Sequence, residues 1–153
     1  MNYEIVTKQS IEIDFQQTLK MLIALNKEHR QAFKEYQSFY PPAEFVMEFG
    51  TVSLDIGRAV GKSKFIRENA QPNDLVLVHN LEELRYWNHY LPMTKVMCLK
   101  IMNIQYIKDY GQRFDTIWVD EPKLIFKSIS RYDVMRQLIM DYGQTVVMLG
   151  RYI

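Results

Sequence analysis

The chain has 153 residues, 48% of them apolar and 24% charged, with a formal net charge of +1, values that fit one domain with a real core. Near-neutrality excludes a bulk basic field for nucleic acid, so any DNA contact must come from a local patch. The single Cys98 excludes a disulfide framework and reads as a small buried hydrophobe, while the lack of an N-terminal apolar h-region and of any long apolar run gives the expectation of a cytoplasmic protein with no membrane span.

Residues 1–12 are mixed and read as a short strand (Tyr3 to Val6) or an arm. Asp14 is placed to cap a helix reaching about Phe39, with Phe15, Leu19, Leu22, Ile23, Phe33 and Tyr36 at three- and four-residue steps. Asn26, His29 and Arg30 interrupt that stripe. Pro41-Pro42 ends the helix, and Glu44 to Gly50 reads as an extended piece leading into a sheet.

Thr51 to Ile56 is the first core strand. After it comes Gly57-Arg58-Ala59-Val60-Gly61-Lys62-Ser63, a glycine loop in which Lys62-Ser63 opens a helix to about Asn69. Such a loop can wrap backbone N–H groups around phosphate oxygens, with the lysine as a point charge and the hydroxyl as an Mg²⁺ ligand. The pattern G-x-x-x-x-G-K-[ST] is matched at Gly61, Lys62 and Ser63. Ile56 stands at the first glycine position, and Gly57 comes one residue late.

Gln71 to Asp74 is a turn. Leu75 to Val78 is a second strand, followed by a helix over about Leu81 to Tyr90, and Val96 to Ile101 is a third strand. Asn103 to Tyr110 reads as a helical turn ended by Gly111. Residues 115–120 form an apolar strand tipped by Asp120 and Glu121, where an open α/β sheet binds ligands. One acid can hold Mg²⁺ through water while the next orients a water against a γ-phosphate. Pro122 to Lys127 is a connection or first helical turn. A helix over about Tyr132 to Tyr142 is closed by Gly143, and Thr145 to Leu149 is the last strand. This alternation predicts an α/β three-layer αβα sandwich with a mainly parallel sheet of four or five strands. Its carboxyl edge would gather Gly57 to Ser63, His79, Asp120, Glu121 and Arg151.

The loop at 57–63 together with Gly111 and the strand ending in Asp120-Glu121 resembles P-loop NTPases of the additional-strand, catalytic-glutamate type. The nearest flavour is the ATPase core of phage terminase large subunits, with superfamily 1 and 2 helicases close behind. The resemblance covers most of residues 50–150. The nuclease and second RecA-like domains of those families have no counterpart in residues 1–153.

The resemblance implies ATP and Mg²⁺ as cofactors. Lys62 would contact the β- and γ-phosphates, Ser63 and Asp120 would hold Mg²⁺, Glu121 would polarise the attacking water, and Arg58 would add charge on the γ-phosphate. It also implies work in a homo-oligomer or with a protein partner, in DNA packaging or translocation. Gln16 and Gln17 are alternative adenine contacts, and Arg131 or Arg136 a finger for a neighbouring subunit; a packed helix and a solvated face are the plain readings. Arg151 is either a sensor at a strand tip or a terminal residue. His79 and His89 lack metal-ligand spacing. Tyr86, Trp87, His89 and Tyr90 read as core or partner contact. Two other functions compete: a non-enzymatic nucleotide- or protein-binding module, such as a phage protein docking on a host factor, and a nucleotide kinase.

Overall fold

A computed structural model of the chain describes residues 3–57, 61–99 and 112–151. Its elements are α1 (Tyr3–Ala32), a 3-10 segment (Lys34–Ser38), α2 (Pro42–Phe49), β1 (Thr51–Leu54), α3 (Lys62–Asn69), β2 (Leu75–Val78), α4 (Leu81–Tyr90), β3 (Lys95–Cys98), β4 (Thr116–Asp120), α5 (Pro122–Ile125), α6 (Arg131–Leu138) and β5 (Thr145–Leu149).

The described residues form an α/β sandwich around a five-stranded, all-parallel sheet in the order β1-β5-β4-β2-β3. Side chains alternate across each strand, and both faces are covered. Leu75, Leu77, Ile117, Val119, Val146 and Met148 pack into one cluster with residues of α2, α5 and α6. Val76, Val78, Trp118, Val147 and Leu149 point the other way, into a cluster with Phe15 and Leu19 of α1, Phe65 and Ile66 of α3 and Trp87 of α4. Parallel strands carry apolar side chains on both faces because helices lie on both faces.

The N-terminal third departs from expectation in three places. Tyr3 to Val6 is neither strand nor arm: the helix already runs there, and Asp14 lies within it rather than capping it. The same helix stops at Ala32, short of Phe39. The next residues tighten to 3-10 geometry, which eclipses residues three apart. That brings Phe33 and Tyr36 to 5.6 Å from one another and lays both on Phe49, at 5.9 and 5.7 Å. Glu44 to Gly50 is helical rather than extended. Pro42 at the first helical position is pre-set for a helix, and Ala43 and Val46 are buried one turn apart. The proline pair therefore stops one helix and starts another.

The polar residues that interrupt the stripe of α1 are its anchors. Asn26 Nδ2 donates to the Phe49 carbonyl at 2.9 Å. Arg30 donates to the Gln144 carbonyl at 2.6 Å and to Thr145 Oγ1 at 2.8 Å, tying the helix to the start of β5. The helix over 132–142 is shorter than expected. It ends at Leu138 because Gln144, fully buried, takes the next backbone N–H groups: its Oε1 accepts from Met140 and Asp141. The expected turn at 103–110 with Gly111, and the end of the third strand at Lys100-Ile101, lie outside the described residues. Among the described residues no helix is long and apolar enough to cross a membrane.

Candidate functional site at the carboxyl edge of the sheet

Three chain segments leave the carboxyl ends of adjacent strands and meet. After β1, the Asp55 carboxylate accepts the Gly57 N–H at 3.1 Å, and Gly57 turns with φ +101°. Gly61, φ +94°, is the N-cap of α3 and puts Lys62 at its first position. After β4, Glu121 N–H donates to the Leu149 carbonyl at 2.9 Å. After β5, Gly150 N–H donates to the Leu54 carbonyl at 3.0 Å. The loop, the acids and the end of the last strand are thereby cross-tied by backbone bonds.

Lys62 Nζ lies 2.8 Å from Glu121 Oε1. The lysine side chain is only 11% exposed and the glutamate 32%, so the contact is partly shielded from water. Glu121 holds φ +58° and ψ +68°, the one non-glycine positive φ among the described residues. For a residue with a Cβ this conformation costs roughly 1–2 kcal/mol and persists where the surroundings over-determine it, most often at functional sites. Gly150 is one of those surroundings. A Cβ there would sit 2.8 Å from Glu121 Oε2, at a φ of +112° that L side chains avoid, so only glycine leaves room for the carboxylate.

Asp120, the last residue of β4, is 8% exposed. Burial, then the neighbouring carboxylates of Glu121 and Glu83, push its carboxyl up to about 7, against a smaller opposing pull from Lys62. Its charge therefore changes near neutrality. Between its ordinary value of 3.8 and about 7 the folded chain keeps a proton that the unfolded chain has released. Stability from this group is thus complete at the acid end and is lost as pH rises toward 7. Asp120→Asn should accordingly raise the melting temperature at pH 8 and leave it unchanged near pH 4. A gain of equal size at both pH values in thermal melts would refute the assignment.

A cleft of about 480 Å³ opens at this edge, lined by Asp55, Gly57, Lys62, Glu121, Lys123, Leu124 and Arg151. Of the residues singled out from sequence, Gly57, Lys62, Glu121 and Arg151 line it. Gly61 supports it as the cap of α3. Arg58, Ala59 and Val60 lie outside the described residues. Ser63 is half-buried on the first turn of α3 and does not line the cleft. Asp120 is buried next to Glu121 rather than exposed in the cleft. Among the described residues no group of three or more His, Cys, Asp and Glu side chains is gathered as a metal site. Ile56 is 53% exposed, outside the packed core.

Other sequence candidates have structural partners. His79 Nε2 contacts Asn80 Nδ2 at 3.0 Å, and Asn80 caps α4 by accepting the Glu83 N–H. Trp87 is fully buried, Tyr86 meets Trp87 edge-on and Tyr90 at a tilt, and Arg67 sits over the Tyr90 ring at 4.9 Å. This cluster joins α3 to α4. Arg136 lies over the Tyr132 ring on its own helix. Gln16 is half-buried and Gln17 exposed on α1, one turn beyond Glu12, whose side chain passes beside Gly61. Cys98 is buried.

Sequence reading missed five contributors to the site: Asp55, Glu83, Lys123, Leu124 and Gly150. Of these only Asp55 carried a local signal, as an acid two residues before a glycine turn. No protein-family model matches the chain, and neither a curated protein nor a solved structure matches it.

Proposed function

We propose that this chain is an Mg²⁺-dependent, ATP-binding P-loop protein that hydrolyses the β–γ bond. The observation that carries the reading is the contact of Lys62 with Glu121, which joins a loop lysine and a strand-end acid far apart in sequence. Support also comes from the strand order, in which β5 is inserted between the loop-bearing β1 and the acid-bearing β4. A cleft of about 480 Å³ is ample for a triphosphate and part of its nucleoside.

Each residue then has a defined task. Lys62 neutralises phosphate oxygens as a point charge at a helix N-terminus whose N–H groups favour anions. Glu121, freed from Lys62 by the incoming phosphate, takes up the proton of the attacking water as general base. Mg²⁺ takes one or two carboxylates and keeps several waters; the Asp120 carboxylate and the Ser63 hydroxyl are the residues that would hold it, Asp120 through water, since neither side chain lines the cleft itself. When bound, Mg²⁺ would supply positive charge that neutralises the phosphates. Turnover by an isolated chain is slow if a neighbouring subunit or a DNA-bound partner must complete the site.

The test is calorimetric titration with ATP and Mg²⁺. The wild type should bind, and Lys62→Ala should lose at least about a hundredfold in affinity, as expected for a charge-assisted contact left unpaired. Equal affinity in the two proteins removes the reading. One observation favours a second reading, a non-enzymatic nucleotide- or protein-binding module: Lys62 and Glu121 already neutralise one another. That reading gains if ATP binds without turnover under every condition tried, with and without DNA.

A further inference from the structure

We propose that Lys123, in the same cleft as Lys62, is a second phosphate-binding cation, which supplies charge to the terminal phosphate of a nucleoside triphosphate from within the same chain. The inference rests on the reading of the cleft as a nucleotide site. The cleft is built across three strand ends. Lys62 enters from the β1 side, Arg151 follows β5 in the middle, and Glu121 and Lys123 enter from the β4 side. The Lys62 ammonium already reaches Glu121 across this edge, so an anion seated in the cleft meets side chains from both the β1 and β4 segments.

The backbone of Lys123 is held in place. Its N–H donates to the Arg151 carbonyl at 2.8 Å, and Leu124 and Ile125 donate to the Glu121 carbonyl. Pro122, buried, fixes the first turn of α5. Its ammonium is in the opposite situation. Lys123 is exposed, and among the described residues its ammonium carries no hydrogen bond or ion pair, whereas Lys62 is engaged by Glu121. Three cations and two carboxylates line the cleft, so it holds one positive charge in excess, and Lys123 can take a phosphate without breaking an existing pair. A phosphate seated there is then placed to compete with Glu121 for Lys62. The charge that many phosphoryl-transfer sites draw from a second subunit is in this chain available in cis.

The experiment titrates the full chain with ATP, ADP and inorganic tripolyphosphate, each with Mg²⁺, in the wild type, Lys123→Gln, Lys123→Arg and Lys62→Ala. Lys123→Gln should weaken ATP and tripolyphosphate about tenfold and leave ADP within about twofold. Lys123→Arg should retain the wild-type preference for ATP over ADP. Unchanged ATP affinity in Lys123→Gln, or an equal loss for ATP and ADP, overturns the inference alone and leaves the nucleotide site standing. A wild type that binds neither ATP nor tripolyphosphate overturns both. A wild type that binds tripolyphosphate but no nucleotide, with that binding lost in Lys123→Gln, overturns the ATP reading and keeps Lys123 as a polyphosphate contact.

Discussion

Glu121→Gln is expected to tighten ATP binding and to slow turnover at least about a hundredfold. The Lys62 ammonium is engaged by the Glu121 carboxylate at 2.8 Å, so a phosphate that binds Lys62 competes with that acid. Charge-assisted contacts of this kind contribute about 1.5–3 kcal/mol when shielded, and less here because the glutamate side chain is 32% exposed. Removing the charge while keeping the shape should therefore raise ATP affinity about fivefold. If Glu121 is the general base of the proposed reaction, the same change removes an effect worth about 10²- to 10⁴-fold in rate. Fold stability should move by less than about 1 kcal/mol, because the lost ion pair is partly solvated. Measured together, the dissociation constant for ATP and the rate of phosphate release decide the matter. Weaker binding with unimpaired hydrolysis would remove Glu121 from its role.

Asp74→Ala should be among the most destabilising single changes in the chain, by about 3–5 kcal/mol. Asp74 is 3% exposed. One carboxylate oxygen accepts from Gln71 N–H at 2.8 Å and from the Trp118 indole at 3.0 Å. The other accepts from Thr116 N–H at 3.1 Å. The side chain thus closes its own turn, receives the start of β4 beside β2, and satisfies a tryptophan buried in the sheet. Alanine would leave these donors buried without an acceptor, and such a donor costs about 1–3 kcal/mol. For a chain of this length a loss of that size lowers the melting temperature by about 10 °C. Thermal and denaturant unfolding both read it, and a drop below about 1 kcal/mol would show that water replaces the carboxylate.

Much of the architecture is written locally. Leu75 to Val78 and Thr145 to Leu149 are short apolar runs bounded by polar turns, and both are strands within those bounds. Lys62 to Asn69 and Leu81 to Tyr90 are helices as read. The N-terminal third was misread because local signals compete there. Glu44 to Gly50 is rich in aromatic and aliphatic residues that suit a strand as well as a helix, and Pro42 is compatible both with a helix stop and with a helix start. The ends of α1 differ from expectation because Asp14 suits a cap as well as a helix interior and because the apolar steps at Phe33 and Tyr36 continue in a 3-10 segment, while Asn26 and Arg30, which interrupt its stripe, each reach a specific carbonyl of the core.

By itself the sequence determined the alternation of strand and helix, hence a parallel sheet, and it marked Lys62 and Glu121 as chemistry at strand ends. Hydrophobic period and turn residues act between near neighbours, so they are legible in one dimension. Only the tertiary structure decided that β5 lies between β1 and β4, that Gly150 yields space to a glutamate in a left-handed conformation, that Asp74 is a buried hub and that Lys123 shares a cleft with Lys62. Those facts depend on which strand pairs with which, a choice among distant segments that is made by burial on both faces of the sheet at once.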